Sequence, residues 1–232
     1  MRRFYTEVAV IETAGRFAVD LDERPARTPA GSRLVLPTGA LARAVAEEWR
    51  AQKDEIEPDT MPLTRLAATA IDRVASDREA VVDQVASYGG SELVCYRADR
   101  PPNLVLRQHE VWQPLVDWAA QDLDAHLVVT TGVVPIAQPP EALSALSAVV
   151  AALDDFELTA IHSVTTAAGS LVIALALAAG RLDPGAAFAA SHLDELFQAE
   201  EWGEDAEAAQ RRDTLRAEIE IAARFLALAR PG

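Results

Sequence analysis

Between Asp183 and Gln210 the chain carries eight acidic residues and no lysine or arginine, and the centre of that stretch reads SHLDELFQAEEWGED. In a helix, Phe188, His192, Leu193, Leu196 and Phe197 share one face. Asp194, Glu195, Gln198, Glu201 and Trp202 then rise on the adjoining flank at i, i+3, i+4 and i+7 spacings. Two chemistries could use this pattern. As a catalytic set, His192 would work with Asp194, Glu195 or Glu201 as acid and base in a hydrolase or isomerase. Adjacent helical residues diverge by about 100°, so Asp194 and Glu195 do not easily face one substrate atom. As a binding surface, an acidic flank tipped by tryptophan suits a basic or polar protein partner, since tryptophan is enriched at interface hot spots. A merely solvated face would mix charge signs to gain i,i+4 pairs, whereas this run sets like charges side by side.

The other reactive residue types point nowhere further. The sequence has no G-x-x-x-x-G-K-S/T loop and no G-x-G-x-x-G after a strand, so neither nucleotide hydrolysis nor dinucleotide binding has its phosphate cradle. His109, His126, His162 and His192 show no H-E-x-x-H or other metal spacing. Cys95 sits in ELVCYR among apolar neighbours, the setting of an inert buried thiol. Gly169-Ser170 lacks the G-x-S-x-G elbow of serine hydrolases and reads as a close-packing point. No cofactor, metal or catalytic residue is expected.

Composition narrows the class. The 232 residues are 50% hydrophobic and 25% charged, within the range of folded globular proteins. A single cysteine cannot form an internal disulfide or supply a multi-thiolate zinc site. A net charge of −15 repels phosphate backbones and anionic lipid headgroups, so neither nucleic acid nor membrane is an expected partner. MRRFYTEVAVIE meets Glu7 and Glu12 before any apolar run reaches signal-peptide length, so a cytoplasmic location is expected. Leu158 to Gly180 is free of formal charge, but its serines, threonines and alanine-rich end suit a buried central helix better than a membrane span.

The elements that must position the acidic flank follow from texture. Residues 1–75 are nearly charge-balanced, and the acid excess lies in 76–232. The first part contains β-branched runs, TEVAVIE, GRFAVDLDE and RLVLP, with turn signals at Ala14-Gly15, Arg24-Pro25 and Pro29-Ala30-Gly31. Thr38 opens a helix through Trp49 to Gln52, on which Leu41, Val45, Glu48 and Trp49 form an amphipathic stripe that gives Trp49 a structural, packing role. LTRLAATAIDRV is a further helix. Ser76 and Glu79 have capping-box spacing, predicting a helix that ends at Gly89-Gly90. Leu104–Leu123 is amphipathic with Pro114 inside, so a kink or two helices is expected. HLVVTTGVV is the only strand-like run beyond residue 76, and helices are expected over 141–153, 155–180, 184–202 and 204–229. The expected fold is α+β: a small β-rich domain over 1–75 followed by a larger, mainly α-helical domain over 76–232.

RFYTEVAVIE, GRFAVDLDERPARTPAG, LVLPTGALARAVAEEWRAQ, MPLTRLAATAID, ELVCYRAD, VWQPLVDWA and LDELFQAEEWGED together resemble the assembly chaperones of the F-type ATP synthase, in the family's order and over Arg3 to Leu228. The resemblance implies a β-rich N-terminal and a helical C-terminal domain. It also implies a binding protein without catalysis, which holds the unassembled alpha subunit of the catalytic head until it pairs with beta. The family's essential glutamate before the tryptophan-glycine pair matches Glu195, with Asp194, Gln198, Glu201 and Trp202 around it and Gly203 completing the pair as a structural residue. The tryptophan of its E-E-W motif matches Trp49. Where the family commonly has RLEEE, this chain has His192, Leu193, Asp194, Glu195 and Leu196, which puts an apolar residue where charge is frequent. The mitochondrial presequence of eukaryotic members has no counterpart before Arg3, so the resemblance implies a bacterial cytoplasmic member, the counterpart of a matrix protein. An acidic adaptor for another complex is the remaining alternative.

Overall fold

The computed structural model describes residues 1–132 and 134–231 of the chain. These residues form two compact units. The first comprises Met1–Arg78, Asp154–Ala160 and Arg224–Gly232, and the second comprises Glu79–Leu153 and Ile161–Ala223. The first therefore draws on later stretches of chain besides the β-rich start. The fold class is α+β, with a small sheet near the N-terminus and helices thereafter.

In the first unit, β1 (Val8–Thr13) and β2 (Arg16–Leu21) pair antiparallel with Thr13 opposite Arg16. The two residues between them, Ala14 and Gly15, have φ of +52° and +74°, the backbone of a type I′ turn that matches the strands' right-handed twist. A second such turn at Asp22-Glu23 (φ +47° and +66°) leads into β3 (Arg24–Pro25), so Arg24-Pro25 lies in a strand and not in the turn expected there. The Asp22 carboxylate accepts the Thr6 and Glu7 N–H groups, which rewards this unusual backbone. β4 (Val35–Leu36) pairs with the start of β2, on the edge that β3 shares.

Helix α1 (Gly39–Ala51) covers the sheet. Thr38 caps it by accepting the Leu41 N–H, and Leu41, Ala42, Val45, Ala46 and Trp49 form its buried face, as the stripe predicts. The adjacent residues of the E-E-W motif act in different directions. Trp49 is buried, its ring edge-on to Tyr5, whose hydroxyl donates to the Trp49 carbonyl at 2.6 Å. Glu48 accepts the N–H groups of Leu63 and Thr64, both at 2.8 Å, and so caps α2 (Pro62–Thr69), which has no side-chain cap of its own. A turn of π-helix over Ala70–Val74 continues α2. The expected capping box is not formed: the Ser76 hydroxyl donates backwards to the Asp72 and Arg73 carbonyls, completing the preceding turn instead.

The next helix, α3 (Arg78–Ser87), gives way to 3-10 turns over Tyr88–Ser91 and Leu93–Cys95 around Glu92. The strand-like run HLVVTTGVV contributes only β6 (Thr130–Thr131), parallel to β5 (Tyr96–Arg97); Val133 of that run lies outside the described residues. Helix α4 (Pro102–Asp122) runs unbroken through Pro114, where the sequence allows two helices as one alternative. Then come α5 (Pro140–Ala151), α6 (Asp155–Ala168), α7 (Leu171–Ala178), α8 (Pro184–Ser191), α9 (Leu193–Trp202) and α10 (Ala206–Ala229).

The uncharged stretch from Leu158 to Gly180 is thus two helices, not one. Gly169 turns the chain at φ +65°, with open space where a side chain would stand, so it serves backbone freedom and not close packing. Helix α7 is buried on every side from Leu171 to Leu177, which makes it the core of the second unit. Its first N–H groups would be orphaned in an apolar interior. Ser170 accepts the Ile173 N–H, and the fully buried Glu92 accepts those of Leu171 (3.0 Å) and Val172 (3.1 Å) and the Ser170 hydroxyl. Among the described residues no helix is long and apolar enough to cross a membrane.

Replacing Trp49 by arginine puts a charge where a large aromatic is buried. It lowers stability by several kcal/mol, about 3–5, as read by urea unfolding and soluble yield. For Glu92, burial pushes the carboxyl from its ordinary 4.5 up to about 7, against the downward pull of its hydrogen bonds. Between those pH values the folded state holds more protons than the unfolded one, so this group's support is greatest below about pH 4.5 and weakens as pH rises through about 7. Glu92→Gln stays neutral, with an oxygen for the helix N–H groups and an amide to donate to Ser170. Urea unfolding at about pH 5 and about pH 7.5 should show it gaining on the order of 2 kcal/mol on wild type across that interval; an unchanged difference would assign the titration elsewhere.

Candidate functional site

The acidic stretch is a helix interrupted once. His192 takes φ −108° and ψ 21°, ending α8 and starting α9. Its ring stacks on Phe188 with centroids 4.4 Å apart, and its Nδ1 lies 2.8 Å from the Ser191 hydroxyl. Burial holds its imidazole below the usual histidine range, offset in part by the Phe188 carbonyl and the Glu195 charge. His192, Leu193 and Phe197 are buried and Leu196 half-buried, so the apolar face is as expected apart from this break.

Three side chains of α4 fix the other side of this element. Trp112 Nε1 donates to the Ala190 carbonyl at 2.8 Å, at the end of α8. Gln108 Nε2 donates to Asp194 Oδ1 at 2.7 Å, in the first turn of α9. Arg107 pairs with Glu200 at 2.8 Å and lies over the Phe197 ring. From α10, the Arg216 guanidinium lies 4.4 Å from the Phe188 ring centre, and the buried Arg212 donates to Glu204 just beyond α9. The positive charges missing from the stretch itself are therefore supplied by neighbouring helices.

The expected flank is only partly one surface. Glu195, Gln198, Glu201 and Trp202 are exposed, and among the described residues they make no side-chain hydrogen bond or ion pair. Trp202 is 79% exposed, whereas Trp49, Trp112 and Trp118 are all buried. Asp194 is half-buried and turned to Gln108. Gly203 ends the helix at φ +92° and ψ 165°, a backbone open in practice to glycine alone, and its N–H donates to the Ala199 carbonyl. Glu201 lies at the carboxyl end of α9, where the helix dipole disfavours negative charge. Sequence reasoning missed Gln108 and Arg107. Gln108 does leave a trace: it is a polar residue on the apolar i, i+4 stripe from Leu104 through Trp112, where a buried amide must have partners.

Elsewhere the reactive residue types are quiet. Cys95 is buried and its thiol pushed up to about 12, chiefly by desolvation. His109 and His126 are exposed and His162 is half-buried. Among the described residues no group of three or more histidine, cysteine, aspartate or glutamate side chains could hold a metal ion. Among the described residues His192 has hydrogen-bond contacts with Ser191 and the Phe188 carbonyl, and Asp194 accepts from Gln108.

The comparisons with known proteins agree with one another. The model of the ATP12 chaperone protein family matches residues 2–120. The mitochondrial protein atp12 of Schizosaccharomyces pombe is 23% identical over 226 residues, 91% of this chain and 78% of the relative. The crystal structure of Atp12 from Paracoccus denitrificans is 48% identical, covers 99% of this chain and 98% of its own, and superposes with a TM-score of 0.95; a point mutant of the P. denitrificans protein gives 0.96. A protein from Agrobacterium tumefaciens is 41% identical with a TM-score of 0.91, over 98% of this chain and 85% of its own. Matched by the family model over residues 2–120 and by the P. denitrificans structure over 99% of its length, the chain belongs to the ATP12 family of ATP synthase assembly chaperones.

Proposed function

We propose that this protein binds the unassembled alpha subunit of the F-type ATP synthase head, shields the surface that beta will cover, and yields it to beta without nucleotide hydrolysis, in a bacterial cytoplasm. The observation that carries the reading is the exposed flank of α9: Glu195, Gln198 and Glu201 beside a tryptophan that is 79% exposed. Stability alone does not place an indole in water or a carboxylate at a helix's carboxyl end. A partner with a basic or polar rim around apolar surface compensates both.

The problem such a partner poses is physical. An unassembled subunit exposes an apolar patch of several hundred Å² that is an aggregation hazard until its neighbour arrives. A cover that must leave without an energy source needs an interface of bounded area and mixed polarity, unlike that of a permanent complex. Glu195 is the residue assigned to touch the partner, flanked by Gln198, Glu201 and Trp202. Trp49 and Gly203 are assigned structural roles, and Asp194 is turned to Gln108.

Isolated alpha subunit diluted from denaturant should scatter less light when this protein is present in roughly equimolar amount without nucleotide. Glu195→Lys should keep the helical circular dichroism of the parent and lose that suppression at least tenfold. A Glu195→Lys protein that suppresses as well as wild type would move the contact off α9. A wild-type protein with no effect would remove alpha as the partner.

A further inference from the structure

We infer that Asp194 and Gln108 form a positioning pair, in which the buried amide of α4 sets the rotation and register of α9 so that Glu195, and not Asp194, meets the partner. This rests on the binding role proposed above for the α9 flank.

Gln108 is 1% exposed and sits on the buried stripe of α4. Its orientation is dictated, not chosen. The Ala98 N–H can only donate, and it lies 2.7 Å from Oε1, so Nε2 faces the other way. There it meets Asp194 Oδ1 at 2.7 Å, and an ionised carboxylate can only accept. The main chain of Gln108 is held as well, since Arg97 Nη1 donates to its carbonyl at 3.0 Å. A chain of bonds thus runs from Arg97 at the end of β5 and the adjoining Ala98, through a residue that cannot reorient, to the first turn of α9.

The position of that last contact matters. His192 breaks the regular helix for one residue just before α9, although its N–H and carbonyl still bond to Phe188 and Leu196, so the rotation of α9 is not fixed by α8 alone and depends on what it packs on. Buried Leu193 and Phe197 set the apolar side, and apolar contacts are non-directional. The Gln108–Asp194 bond is directional and joins one polar atom to one other, so it selects one rotation among those the apolar side permits. With Asp194 turned to α4, the next residue, Glu195, is carried outward by the helical step of about 100°. The Arg107–Glu200 pair near the far end is half-exposed and screened by water, a weaker determinant.

Exchanging the two groups tests this. Gln108→Glu sets one carboxylate against another, while the double variant Gln108→Glu with Asp194→Asn restores one amide and one carboxylate with their places swapped. In both, an oxygen of the introduced carboxylate still accepts the Ala98 N–H. Two readouts are taken on the full chain: amide hydrogen exchange over 193–203, and suppression of alpha-subunit light scattering. The single variant is expected to exchange at least tenfold faster over 193–203 and to lose suppression in proportion, and the double variant to return both to within threefold of wild type. A double variant with restored exchange but no suppression would show that the Asp194 carboxylate itself meets the partner. A single variant whose exchange over 193–203 matches wild type would show that the pair sets nothing. Either result overturns the inference. If wild type fails to suppress scattering while the exchange pattern holds, the binding role falls and the positioning pair stands.

Discussion

A helix that is apolar on every side can be buried only if its first turn finds acceptors, because water cannot follow it inside. Helix α7 meets this constraint with Glu92, whose carboxylate accepts two of its leading N–H groups while Ser170 takes a third. The acid is poorly solvated there, and its raised proton affinity reflects that cost. Three observations follow from this one requirement: the turn at Gly169, the otherwise unexplained acid between two 3-10 turns, and the division of a long uncharged segment into two helices. The same device recurs in the first unit, where Glu48 reaches from α1 to the start of α2. In both cases leading N–H groups of a helix are taken by a carboxylate outside that helix, beside the Ser170 cap in α7 and in place of any side-chain cap in α2.

The helix that carries the acidic flank is governed differently. Its beginning coincides with a break, its end with a glycine in a conformation closed to other residues, and its inner side with α4. The histidine at its start is stacked on Phe188 and buried, while Glu195, Gln198, Glu201 and Trp202 face solvent.

Much of the fold was legible because its determinants are local. The Thr38 cap, the α1 stripe and the Ala14-Gly15 turn lie within a few residues of what they specify, and each reads in place from the sequence. The exposed flank was legible for the same reason, since helical spacing alone puts Glu195, Gln198, Glu201 and Trp202 together. What escaped was non-local. Ser76 is the local exception: it has the spacing of a capping box, yet its hydroxyl bonds carbonyls three and four residues back. The role of Glu92 depends on partners 78 to 80 residues away, and that of Gln108 on one 86 away, distances over which periodicity is silent. The break at His192 also escaped, because Phe188 and His192 stand at helical i,i+4 spacing and the sequence there reads as one continuous helix. Spacing groups Asp194 with its neighbours, and only the position of α4 separates it from them.

The burial of three of the four tryptophans has an optical consequence. Trp49, Trp112 and Trp118 are shielded from aqueous quenchers, so the red edge of the intrinsic emission belongs to Trp202 alone. The unlabelled chain therefore carries its own spectroscopic reporter at the tip of α9, and quencher accessibility measured there reads the solvent exposure of that one surface.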